Sequence, residues 1–126
     1  MKKVYKILEN NMYGVPVTIF IGSYAESESY LHRNFGLERS EQRYYGGTTS
    51  LMTDTKNGHS FVYIWMPHYN HTIDEMGTLT HECTHAAMRI LEACSIPVTY
   101  KDHESLAYLQ SYIFMEALAA MRHRIS

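Results

Sequence analysis

The 126-residue chain contains no apolar run of the length, about 20 residues, that a membrane-spanning helix needs, so no membrane partner is expected. Cysteine is scarce: Cys83 and Cys94 are the only 2. If both lie on one helix, eleven residues at 1.5 Å each hold them about 16 Å apart, against a limit of about 7 Å between disulfide-bonded Cα atoms. They therefore read as small buried hydrophobes in a reducing compartment. An excess of one charge is also missing, since 11 Lys and Arg against 13 Asp and Glu give a formal net charge of -2. With no basic stripe interleaved with aromatics, nucleic-acid binding has no electrostatic footing. The basic start Met1-Lys2-Lys3-Val4-Tyr5-Lys6 is followed by no apolar core, so a secretory signal is not expected and a cytoplasmic location is. Repeats, low-complexity tracts and linkers are absent too, and the length suits one domain over residues 1–126 with a core of its own.

What is present is a globular composition, 45% hydrophobic and 19% charged, with 8 histidines and 11 tyrosines. Val15 to Ile21 is a β-branched and aromatic run between Gly14 and Gly22 and reads as a strand; Pro16 near its start suggests an edge or a first position. Ser23-Tyr24-Ala25-Glu26 has capping-box spacing and predicts a helix to about Phe35, stopped by Gly36. Residues 37–47 read as a loop. Thr48 to Thr53 and Ser60 to Met66 flank Asn57-Gly58, a pair that supplies positive φ cheaply, and predict a hairpin. In the second run Phe61, Tyr63 and Trp65 point one way and Val62, Ile64 and Met66 the other, so that strand should be covered on both faces.

Thr72-Ile73-Asp74-Glu75 is a second capping box and predicts a helix from Ile73 to about Ala93. A last helix should start near Asp102, as N-cap, and run to about Met121. The order strand, helix, hairpin, helix, helix is an α+β arrangement with a small mixed or antiparallel sheet. Residues 1–12 carry no clear signal.

The chemistry is concentrated in His81-Glu82-Cys83-Thr84-His85, which fits H-E-x-x-H. On a helix, residues i and i+4 project from one face a turn apart, so the two imidazoles can take adjacent vertices of a tetrahedral zinc site. Glu82 is turned about 100° from His81, which directs it to a water beside the metal rather than to the metal itself. Met76, Leu79, Cys83, Ala86, Ala87, Ile90 and Cys94 fall on the opposite side as a core stripe, and the small Ala86 and Ala87 allow close approach of another element. A site needs a third ligand. The Gly and His of the metzincin continuation are not met, because Met88 and Leu91 stand there.

His81-Glu82-x-x-His85, eighteen intervening residues, then Glu104-Ser105-Leu106-Ala107-Tyr108 resembles the gluzincin metallopeptidases, and the full chain looks like small zincin-like proteins carried by phages and prophages, a motif-level resemblance that covers mainly residues 61–115. The resemblance implies a minimal zincin-like domain. It would have an active-site helix and a C-terminal helix supplying a glutamate ligand. One Zn2+ per chain would be held by His81, His85 and Glu104, with Glu82 as general base. Asp102 and His103 compete with Glu104 for the third place, although residues at a helix start tend to cap it. The implied activity is hydrolysis of a peptide or protein substrate in the cytoplasm, of a bacterial host if phage-derived. The alternative is a catalytically weak or inactive zinc domain that acts by binding another protein. Ser60 to Met66 would be the edge strand on which an extended peptide pairs. Tyr108 stands where thermolysin-like members have an acidic residue; it is a candidate to orient a ligand histidine or to donate to an oxyanion, with simple packing as the competing role. Tyr100, His103, Tyr112 and His123 are further oxyanion-donor candidates.

Overall fold

The structure, a computed structural model, describes residues 2–39 and 46–122. Its elements are β1 (Lys3–Ile7), β2 (Val17–Ile21), α1 (Tyr24–Phe35), β3 (Thr48–Thr53), β4 (Ser60–Met66), α2 (Ile73–Ala93) and α3 (Glu104–Arg122). The α+β expectation holds: among the described residues a four-stranded mixed sheet in the order β1-β2-β4-β3 carries helices on both faces. β1 is antiparallel to β2, β2 parallel to β4, and β3 antiparallel to β4.

Two-sided burial follows from the alternation within β4. Val62, Ile64 and Met66 join Val17, Ile19 and Ile21 of β2 in a core closed by α2 and α3. Phe61, Tyr63 and Trp65 turn to the other face with Phe20 and are covered by Leu31 of α1. The polar atoms on this aromatic side are paired. Trp65 Nε1 donates to the Gly22 carbonyl at 2.9 Å, and the Tyr63 and Ser27 hydroxyls bond at 2.6 Å.

The edge assignment from sequence is corrected. β4 lies inside the sheet between β2 and β3, and the edge strand on this side is β3. The apolar residues on both faces of β4 already carry that information, since an interior strand is the one covered twice. β2 is likewise interior. Pro16 immediately precedes it, where its carbonyl accepts from the Val62 amide at 2.9 Å. β1 pairs along the outer side of β2, an unexpected strand whose exposed lysines blunt a sheet edge.

Both predicted capping boxes form, Ser23 with Glu26 and Thr72 with Glu75. α1 ends at Gly36, φ 69°, where a Cβ would lie 2.2 Å from Thr55 Oγ1, so only glycine fits. α3 starts later than expected. Its first intrahelical bond runs from the Ala107 amide to the His103 carbonyl, while the Asp102 amide closes a turn on Thr99.

Glu75 does more than cap. It is buried, and its Oε1 accepts from the Asn70 amide at 2.6 Å while Oε2 meets His68. Burial alone pushes its pKa up, but the bonds from Asn70, His68 and Thr72 outweigh this and hold it at about 2, below the ordinary 4.5. A depressed folded-state pKa contributes stability that is complete above about pH 4.5 and is lost as pH falls toward about 2. Glu75→Gln is expected to flatten the loss of stability across that window. The check is the urea midpoint as a function of pH, where an unchanged slope refutes the assignment.

Candidate metal centre

α2 is fixed at its start by the Thr72 and Glu75 box and along its length by Leu79, Cys83, Ala86, Ala87 and Ile90, all fully buried. That face orients the remainder. His81 and His85 are exposed, one turn apart, with Nε2 atoms 3.1 Å from each other and rings 4.7 Å apart at 77°. Two nitrogens bound to one zinc at 2.0–2.1 Å with tetrahedral geometry stand about 3.3 Å apart. The histidine pair is within hydrogen-bonding distance, a separation close to that spacing.

Glu82 is more enclosed than its place beside the histidines suggests, at 5% exposure. The buried face of α2 is wider than the stripe read from the sequence. It takes in Glu82 and Leu91, while Met76 and Cys94 are only half-buried. At Glu82 the cause is β3, which packs on α2, whereas Leu91 belongs to the main core. Thr49 Oγ1 donates to Glu82 Oε1 at 2.6 Å and also reaches the Glu82 carbonyl at 3.2 Å. A Cβ on Gly47 would stand 3.0 Å from Glu82 Cγ and 3.2 Å from Oε2, so the missing side chain there makes room for the carboxyl group. Gly47 and Thr49 therefore set the position of Glu82. Neither was singled out from the sequence. The contact spans 33 residues, and nothing local to β3 announces it.

Beside Glu82, Cys83 is fully buried, and burial followed by the nearby Glu82 charge pushes its thiol up to about 12. It is an inert core residue, and both cysteines are free, as the sequence implied.

Glu104, Asp102 and His103 are all exposed around the start of α3. Among the described residues no three His, Cys, Asp or Glu side chains gather closely enough to hold a metal ion. The histidine pair is assembled, and Glu104 is not gathered with it in one cluster. Tyr108, 74% exposed, is not packed in the core. Tyr100 and Tyr112 are exposed too, and His123 lies outside the described residues.

No helix among the described residues is long and apolar enough to cross a membrane. Set against family models, curated proteins and solved structures, the chain matches none.

Proposed function

We propose that the chain is a zinc-dependent peptidase of the gluzincin type, built on a minimal zincin-like domain. The carrying observation is the convergence of the two Nε2 atoms to 3.1 Å on the same helix that holds a constrained glutamate next to the first of them. The donor chemistry fits zinc, with imidazoles from His81 and His85 and a carboxylate from Glu104 as the third ligand. When bound, zinc supplies a Lewis acid that polarises a carbonyl and brings the pKa of water to about 7.

The chain's own residues do the rest. Glu82, positioned by Thr49 and Gly47, takes the proton from the attacking water and returns it to the leaving amine. Thr49 donates to Oε1, so in this reading Oε2 would be the oxygen that carries the travelling proton. β3, the strand that packs on α2, is the outer strand of the sheet among the described residues, and an extended peptide would pair along it beside Glu82.

A second reading, a zinc domain that binds a protein partner without hydrolysing it, draws support from the exposure of both histidines on an open helix face. A single experiment separates the two: metal analysis of the purified protein, followed by a broad peptide-library screen. Zinc with cleavage supports the peptidase, zinc without cleavage supports the binding domain, and protein without zinc refutes both.

A further inference from the structure

α3 has an exposed face that begins at Glu104, the ligand assigned to the proposed zinc site, and continues beyond it along the helix. Its buried line is Leu109, Ile113, Ala117 and Met121. At about 100° per residue, Tyr108, Tyr112, Met115 and Ala119 fall within an arc of about 60° on roughly the opposite side. Tyr108 is 74% exposed, Tyr112 47% and Met115 59%. Isolated exposed apolar residues need no explanation, but these four follow one another at steps of four, three and four, the spacing of a coiled-coil seam. Between Glu104 and Arg122 the sole charged residue of α3 is Glu116, which is half-buried and off to the side. The outward face is therefore an uncharged stripe with an acidic residue at one end and a basic residue at the other.

We infer that this stripe pairs with the same stripe of a second copy of the chain, antiparallel, about a two-fold axis midway between Tyr112 and Met115. The pattern is self-complementary only in that sense. The axis sets Tyr112 on Met115 of the second copy, an aromatic ring on a thioether, and Tyr108 on Ala119, large on small. It also brings Glu104 within a residue of Arg122 at both ends, and it opposes the two helix dipoles. A parallel pair would stack Glu104 on Glu104 and Arg122 on Arg122. Facing an arginine does not remove Glu104 from the metal, since a carboxylate has two oxygens to offer. An aromatic side chain buries about 150–250 Å2, so at these exposures the stripe offers on the order of 300–400 Å2 per copy. Standard interfaces use about 800 Å2 per partner, so the dimer is a weak and reversible one.

The test is sedimentation velocity on the full chain from low micromolar to near-millimolar concentration, with and without a chelator. The wild type is expected to pass from monomer to dimer in both conditions, because the apolar stripe carries the contact and Glu104 can face Arg122 with one oxygen whether or not the other holds zinc. Tyr112→Glu and Met115→Lys are each expected to stay monomeric across the range with unchanged circular dichroism. The double variant is expected to dimerise again, because the axis sets the new glutamate against the new lysine of the other copy. A wild type that remains monomeric throughout leaves the stripe to a different partner and overturns the inference. So does a dimer indifferent to Met115→Lys, or one that the chelator dissolves. Single variants that break a dimer which the double variant does not restore refute the antiparallel arrangement.

Discussion

Purified protein is expected to carry about one zinc per chain, and His81→Ala or His85→Ala is expected to abolish it. Zinc-site binding energies of about 10–16 kcal/mol, shared among a few ligands, make one lost imidazole cost roughly a hundredfold or more in affinity. Both side chains are exposed, so the fold does not depend on them. Exposed substitutions away from special features usually change stability by within about 0.5 kcal/mol. The variants should therefore unfold near the metal-free wild type, while added zinc raises the melting temperature of the wild type alone. Inductively coupled plasma analysis and a thermal scan with and without zinc check this. Glu104→Ala is expected to weaken zinc far more than Asp102→Ala or His103→Ala. The reverse ranking moves the third ligand to the turn before α3, and a wild type without stoichiometric zinc at neutral pH removes the centre altogether.

The parts of the molecule legible in the sequence are those decided by neighbours in the chain. Ser23 with Glu26 and Thr72 with Glu75 marked two helix starts, because a cap and its N3 partner are three residues apart. Asn57-Gly58 marked the hairpin, and the alternation from Phe61 to Met66 marked a strand with two covered faces. Less legible were features fixed across the fold. β4 pairs in parallel with β2 some 45 residues earlier, Val62 against Val17, and only that pairing moves the sheet edge to β3. β1 gave no signal because its exposed lysines interrupt a five-residue strand that gains order from distant partners, by pairing with β2 and packing against α3.

The candidate centre divides the same way. The histidine pair is a local property of one helix turn and could be read directly. The enclosure of Glu82 depends on Thr49 and Gly47, brought in by the edge strand from more than 30 residues away, and no helical-wheel argument reaches it. Glu104 rests on how the turn around Thr99 and Asp102 returns α3 toward α2, which spacing alone does not determine.

Glu82→Gln is expected to retain zinc, fold and stability while lowering hydrolysis by about 10^2- to 10^4-fold, the range over which a positioned general base acts. The substitution is chosen for its shape. Glutamine fills the same space against Gly47, and its amide oxygen can still accept from Thr49 Oγ1, so neither the packing nor the hydrogen bond is surrendered. Glu82→Ala would be a poorer probe. It would leave a void beneath β3 and strip Thr49 of its carboxyl partner, mixing a structural loss with a chemical one. An amide cannot accept a proton from water near neutral pH, so what the glutamine variant loses is the proton transfer. Turnover by Glu82→Gln equal to that of the wild type would therefore exclude Glu82 as the base, even with zinc fully bound. A lost metal in the same variant would instead mean that Glu82 helps hold the ion, a role its confinement between Thr49 and Gly47 argues against.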